Sequence, residues 1–291
     1  LRYALREYID IAMLLKEDGE ADWAELQLAR LDGDLAEHAW DGEWYLRAYR
    51  YDGLKFGSHE NPEGSIFMNA QTWAVWSGHA TGDRAEKAMA AMQEHLDTDY
   101  GIMLCTPPYV ETDPQVALGR LMNPGMKENG GIFNHTQGWA VLAATVLGQP
   151  DLAWKYLSQC LPARFNEMAE VRQVEPYVVC QSTHSRFSPR FGAGRLSWLS
   201  GSAVWNYVAM TQAILGIQPD YHGLRLRPCL PSHWEGYEAS RQFRGCTLEI
   251  TVSRDPEQAS TLRLNGQLLE GDLIPTTLLR ANETNVISLS V

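Results

Sequence analysis

Two stretches of the chain combine an almost wholly apolar helical run with a polar entrance. "QTWAVWSGHATGD" (Gln71 to Asp83) and "QGWAVLAATVLGQPD" (Gln137 to Asp151) share a Q-x-W-A-V start, and each closes on a Gly followed within three residues by an Asp. Trp73, Trp139 and Trp205 stand 66 residues apart. Behind each of the first two segments the Asp is placed to cap a second, amphipathic helix. In "DRAEKAMAAMQEHL", Ala85, Ala88, Met89, Met92 and Leu96 recur at helical spacing and leave Arg84, Glu86, Lys87 and Glu94 for solvent. One helix of each pair is therefore expected to be buried all round and the other to keep one wet face.

This alternation is what a double layer of helical hairpins requires, inner helices shielded by outer ones. The pattern predicts helices near 1–17 and 21–40, 65–80 and 83–98, 132–147 and 150–160, and a last inner helix at 200–216. Beyond "LGIQPDYHGL" it changes to short alternating runs such as "CTLEITV" and "STLRLNGQLL", with an Asn265-Gly266 turn. The predicted class is mainly α: a double-layered helical-hairpin barrel over 1–220, followed by a small C-terminal β-sheet domain over 221–291.

The stretches 99–131 and 161–199 are longer than structural joints need. They hold Pro107, Pro108, Tyr109, Glu111, Glu128, Glu175, Gln181, His184, Arg186, Arg190 and Arg195, and long loops gathered at one end of a rigid frame usually carry the site. The densest polar entrance is "KENGGIFNHTQGW", Lys127 to Trp139. His135 and Ser200 both fall near the first turn of a predicted inner helix, where unpaired N–H groups and the positive dipole end favour an anion. The glycines of "ENGG" let the backbone approach a ligand beside Glu128.

Charge and composition narrow the classes. A 45% hydrophobic chain of 291 residues can bury a large core. A net charge of −12 argues against a nucleic-acid surface or an anionic membrane as partner, so any bound anion needs a local site. Five Cys without CxxC spacing argue against a zinc site or disulfide framework and for a reducing, cytoplasmic setting. The chain starts at Leu1 inside a helical pattern, and the expectation is a fragment.

Five ordered stretches resemble glycoside hydrolase family 94, the inverting glycoside phosphorylases that include cellobiose, chitobiose and cellobionic acid phosphorylases. They are "DGEWYLRAYRYDG", "QTWAVWSG", "PGMKENGGIFNHTQGW", "EVRQVEPYVVCQSTHSRFSPRFGAGRLSWLSGSAVWNY" and "ILGIQPDYHGLRLRPCLP". The resemblance implies an (α/α)6 barrel with a C-terminal sheet domain and a homodimeric parent. It implies phosphate binding by His135, Ser200 and Gly201, and acceptor-sugar binding by Glu128 and Gln181, with Lys127 beside them. Inorganic phosphate is then a co-substrate, a β-linked disaccharide or oligosaccharide the other, and no cofactor or metal is needed.

An inverting hydrolase uses one carboxylic acid and one carboxylate base; a phosphorylase replaces base and water with phosphate. The family's acid is an Asp in a DWND-like motif, expected upstream of Leu1. "ADWAEL" at Asp22-Trp23 lacks the Asn-Asp and sits in a predicted outer helix, so it reads as a decoy. Two alternatives stay open: an inverting hydrolase on the same barrel with Glu175 as base, and a carbohydrate-binding fragment without turnover.

Overall fold

In the computed structural model, residues 1–198, 200–255 and 260–291 are described, with Ser200 described in its backbone only. The chain divides into two compact units, Leu1–Ala209 and Met210–Val291. The first unit is helical: α1 (Arg2–Leu15), α2 (Asp18–His38), α3 (Met68–Trp76), α4 (Gly82–Leu96), α5 (Asn134–Val146), α6 (Pro150–Ser158), the single turn α7 (Ala169–Arg172), and α8 (Ser200–Val208), after which Ala209–Ile214 forms a π-helical run. α1 packs on α2, α3 on α4, and α5 on α6; α5 also packs on α3 and α8.

The 66-residue interval is the interval between helix starts. Trp73, Trp139 and Trp205 are each the sixth residue of their helix, in α3, α5 and α8. Their rings meet, with centroids 5.5 Å apart for Trp73 and Trp139 and 5.8 Å for Trp139 and Trp205, and Trp76 joins Trp205 at 5.7 Å. Gly138 permits the close crossing of α5 and α8, since a Cβ there would lie 2.7 Å from the Trp205 carbonyl oxygen.

α4 buries Ala85, Ala88, Met89, Met92 and Leu96, the set that its periodicity marks. Two expectations need correction. Asp83 and Asp151 lie inside the first turns of α4 and α6, which are capped by Thr81 and Gln149 without side-chain cap bonds. Their carboxylates meet the positive helix end instead. Nor are the inner helices buried all round. Trp73, Trp139 and Trp205 are only half-buried: their rings meet one another, and Trp73 and Trp139 line a cavity whose other side is formed by α1 and α2.

The repeat extends into the entrances. A two-residue strand, Ile66–Phe67 or Ile132–Phe133, leads directly into α3 or α5. The first strand pairs with Cys105–Thr106; the second belongs to a three-stranded sheet with Ser182–Thr183 and Gly194–Arg195. The first helical N–H is then taken by the loop residue before the partner strand, Met68 to the Leu104 carbonyl at 3.0 Å and Asn134 to the Gln181 carbonyl at 2.9 Å.

The glutamine of each repeat completes the tie. Gln71 Oε1 accepts from the Tyr45 N–H at 2.9 Å, and its Nε2 donates to the carbonyls of Tyr45 at 2.8 Å and Phe67 at 3.1 Å. Gln137 repeats the pattern: Oε1 accepts from the Ile102 N–H at 2.7 Å, and Nε2 donates to Ile102 at 3.0 Å and Phe133 at 2.8 Å. A buried side-chain amide thus satisfies both polar groups of a peptide strand that has no ladder partner there.

The second unit is built of β-strands. Gly236–Phe243, Cys246–Ser253, Thr284–Ser290, Thr261–Leu264 and Gln267–Leu269 lie in that order in one sheet, Cys246–Ser253 and Thr284–Ser290 being parallel. Leu273–Pro275, Gly223–Leu226 and Ile217–Asp220 form a second. Leu224, Leu248, Ile250, Leu262, Ile274 and Ile287 fill its core, and Asn265-Gly266 makes the turn with positive φ at both residues. No helix among the described residues is long and apolar enough to cross a membrane.

Replacing Gln137 with Leu leaves the buried Ile102 N–H and carbonyl without partners. Each orphaned group costs about 1–3 kcal/mol, so urea unfolding followed by tryptophan fluorescence should show a loss of about 2–6 kcal/mol. Glu94→Ala on the wet face of α4 should stay within about 0.5 kcal/mol.

Candidate functional site

The start of α5 answers why so many polar groups crowd this entrance. Asn134 Nδ2 donates to the Cys180 carbonyl at 2.6 Å, Thr136 Oγ1 to the Phe133 carbonyl at 2.9 Å, and Gln137 holds Ile102. All three are fastened to the protein. His135 is not: among the described residues its ring has aromatic neighbours, Phe133 at 5.5 Å and Trp139 at 5.4 Å, and no hydrogen-bond partner. The N–H groups of His135 and Thr136 precede the first intrahelical bond, and no bond outside α5 among the described residues takes them. Burial holds the His135 pKa below its usual value, so the ring is neutral near pH 7.

Gly201 is the second residue of α8, as His135 is the second of α5. Both helices are entered from the same three-stranded sheet, α5 directly from Ile132–Phe133 and α8 a few residues after Gly194–Arg195. The two starts therefore lie at the same end of the unit. Four residues further on, the Trp139 and Trp205 rings touch. A Cβ at Gly201 would meet nothing within 4 Å, so this glycine faces open space. The Ser200 side chain, the third member of the expected phosphate set, lies outside the described residues.

Gln181 is brought to the α5 entrance by its own backbone. Its carbonyl receives the Asn134 N–H, and its N–H donates to the carbonyls of Arg195 and Leu196 at 3.1 and 3.0 Å. Its side-chain Oε1 is buried without a partner among the described residues. This is an acceptor of hydrogen bonds held ready beside the helix start.

Lys127 and Glu128 occupy the tip of a tight turn, closed by the Asn129 N–H on the Met126 carbonyl at 3.0 Å and the Gly131 N–H on the Lys127 carbonyl at 3.0 Å. Lys127 adopts a left-handed φ of 45°, and a Cβ on Gly131 would lie 2.4 Å from the Lys127 nitrogen. The turn is tied by Asn129, whose Oδ1 accepts from the Tyr109 N–H at 2.6 Å and whose Nδ2 donates to the carbonyls of Tyr109 and Met122, each at 2.9 Å. Glu128 is exposed and Lys127 half-exposed.

The Tyr109 loop has a further latch. Burial raises the Glu63 pKa, but bonds from the Thr112 hydroxyl and the N–H groups of Glu111, Val110 and Thr112 outweigh it and bring it down to about 2. This carboxylate, with no signal in the sequence, is occupied in holding backbone.

Two carboxylates of the competing readings lie elsewhere. Asp22 is on the exposed side of α2. Glu175 is half-exposed and accepts from the Trp198 indole N–H at 2.9 Å.

Residues 1–216 match the model of the glycosyl hydrolase 94 superfamily, catalytic domain, and residues 219–267 that of the glycosyl hydrolase family 65, C-terminal domain. The N,N'-diacetylchitobiose phosphorylase of Vibrio proteolyticus is 35% identical over 291 residues, 98% of this chain and 36% of the relative. The solabiose phosphorylase of Paenibacillus borealis is 36% identical over 281 residues, 94% of this chain and 36% of the relative. The chain thus spans about a third of the length of these curated relatives. A solved structure titled "Sialidase" shares the fold at a TM-score of 0.58 and 10% identity, over 82% of this chain and 21% of that one.

His135 provides the site's pH signature. Its folded pKa is depressed from 6.5, so the stability it contributes is present above about 6.5 and is lost as the pH falls through the lower folded value. In an NMR titration assigned with His135→Gln, the ring should titrate below 6.5 without phosphate and move upward when phosphate is added. A midpoint at or above 6.5 in phosphate-free buffer would contradict the burial argument.

Proposed function

The chain belongs to the glycosyl hydrolase 94 superfamily, and from that premise we propose that it is the phosphate- and acceptor-side portion of an inverting glycoside phosphorylase. The proposed reaction is reversible phosphorolysis of a β-linked gluco-disaccharide or oligosaccharide, giving a sugar 1-phosphate and a shortened acceptor. The relatives' names supply the reaction class. The single observation in this chain that carries it is the unpartnered His135 ring at a helix start where the Asn134 amide NH2, the Thr136 hydroxyl and the Gln137 amide are fastened to the protein.

In this reading α3, α5 and α8 are inner helices of an (α/α)6 barrel within 1–220, and 221–291 is its sheet domain. His135, Ser200 and Gly201 bind inorganic phosphate, with the first N–H groups of α5 and α8 adding dipolar stabilisation. One phosphate oxygen attacks the anomeric carbon from the face opposite the leaving sugar. The carbon–phosphate oxygen bond forms as the glycosidic bond breaks, which inverts the centre. A proton must reach the departing oxygen, and no residue of this chain is assigned that role. Glu128 and Gln181 hydrogen-bond the acceptor hydroxyls, the orphaned Gln181 Oε1 being suited to accept from one, and Lys127 stands beside them. No cofactor is needed beyond phosphate as co-substrate. A cytoplasmic, homodimeric parent belongs to the same proposal.

Phosphate dependence separates this reading from the hydrolase with Glu175 as base. The full-length enzyme should release sugar 1-phosphate only when phosphate is present; free sugar released at the same rate in phosphate-free buffer would contradict it. His135→Ala should raise the Michaelis constant for phosphate about ten- to hundredfold, the worth of one charge-assisted hydrogen bond of about 1.5–3 kcal/mol. Glu128→Gln should act mainly on the acceptor constant in the synthetic direction. Gly201→Ala adds a discriminating case: helix propensity favours Ala by about 1 kcal/mol, so thermal stability should hold or rise while phosphate use falls.

A further inference from the structure

A concentration of positive charge lies in the first unit, in a cavity that adjoins the residues assigned above but is not lined by them. A cavity of about 650 Å³ is lined by Asn123, Met126, His184, Ser188, Arg190 and Arg195 together with Pro124, Phe187 and Pro189. No acidic side chain among the described residues lines it, in a chain with 36 acidic and 24 basic residues. Glu128, Gln181, Lys127, His135 and Gly201 do not line it either.

Neither arginine is neutralised. Arg190 donates to the Gln173 side-chain oxygen, and Arg195 reaches only the Met126 sulfur, at 3.8 Å; neither has a carboxylate partner among the described residues. His184 is 3% exposed, with Nδ1 2.7 Å from the Ser188 hydroxyl and Nε2 buried without a partner. The Ser188 oxygen also accepts the Arg190 backbone N–H at 3.2 Å, and His184 Nε2 is left as a buried ring nitrogen with no partner among the described residues. Burial first, and then the charges of Arg190 and Arg195, hold this histidine below its usual pKa.

The walls are built. The segment 184–193 is a hairpin closed by the His184 N–H on the Ala193 carbonyl at 2.8 Å and the Gly192 N–H on the His184 carbonyl at 3.0 Å. It is fastened to the opposite wall by the Ser185 N–H on the Gly125 carbonyl at 2.9 Å. Gln181 and His184 flank the strand Ser182–Thr183 at its two ends; Arg195 pairs with Ser182 on the Gln181 side, and His184 leads into the hairpin, so the cavity adjoins the sheet from which α5 starts.

We propose that this cavity is a second anion site, which takes a small oxyanion or carboxylate between the Arg190 and Arg195 guanidinium groups. Its volume suits a free phosphate with its waters or a monosaccharide acid. The planar guanidinium fork matches the two oxygens of either group. The "THSRFSPRFGAGR" run, with three arginines and no acid, is the sequence trace of the site.

Calorimetric titration in low-salt buffer tests it, with inorganic phosphate and glucuronate as separate probes. The 291-residue chain carrying His135→Ala removes the proposed catalytic phosphate contact, so the two sites are read apart. A saturable site should remain in that variant, and Arg190→Gln with Arg195→Gln should weaken it about tenfold or more. The Arg190→Lys, Arg195→Lys pair, with circular dichroism as the check on folding, should keep measurable binding. Saturation by phosphate alone identifies a free-oxyanion site; saturation by glucuronate also identifies a site for sugar acids. No saturable binding of either probe, or binding unchanged by the Gln substitutions, would overturn the proposal.

Discussion

The side-chain amide of Gln137 fixes the geometry on which the α5 entrance depends. It occupies the place of a missing β-ladder partner, pairing with both the N–H and the carbonyl of Ile102 while bonding back to Phe133, the residue before its own helix. A helix start, a strand and a loop from a distant part of the chain are thereby held together inside an apolar interior, where an unpaired peptide group would be costly. Gln71 does the same for Tyr45 at the α3 entrance. The repeat conserves a solution to one packing problem: how a long loop can pass beside a buried helix start without leaving its backbone polar groups unpaired.

That constraint separates structural polarity from available polarity. Asn134, Thr136 and Gln137 look alike in composition to His135, but their donors are spent on Cys180, Phe133 and Ile102. Among the described residues, a half-buried imidazole, the first-turn N–H groups of His135 and Thr136, and the orphaned oxygens of Gln181 and Asn134 are left without such partners. A neutral imidazole costs little to bury and gains a proton when a dianion arrives, so burial and anion binding pull its pKa in opposite directions. The same site can therefore be stable when empty and strongly charged when filled.

Much of this architecture was legible in the pattern of residues. Seven predicted helices correspond to α1–α6 and α8, because apolar spacing at 3.6 residues reports directly which face is buried. The 66-residue tryptophan interval carried the repeat of helix starts. Long-range hydrogen bonding was not legible. Gln137 and Ile102 are 35 residues apart, and Asn134 and Cys180 are 46 apart. Local sequence holds no trace of such pairings, so it shows that these side chains are polar but not that their hydrogen bonds are already taken. The same holds for Glu63, whose role depends on a loop 47 to 49 residues away. The half-exposure of the tryptophans was missed for a related reason: periodicity gives the apolar face of a helix but not how closely its neighbours pack on it.

The central claim is that the α5 and α8 starts form one cradle for the attacking phosphate. A crystal structure of the full-length enzyme with inorganic phosphate and the acceptor sugar tests it most directly. The expected result is a phosphate within about 3 Å of a His135 ring nitrogen and of an N–H at the Ser200-Gly201 start of α8, with the acceptor against Gln181 on the adjoining side. A bound phosphate that touches neither helix start, with the acceptor in place, would contradict it.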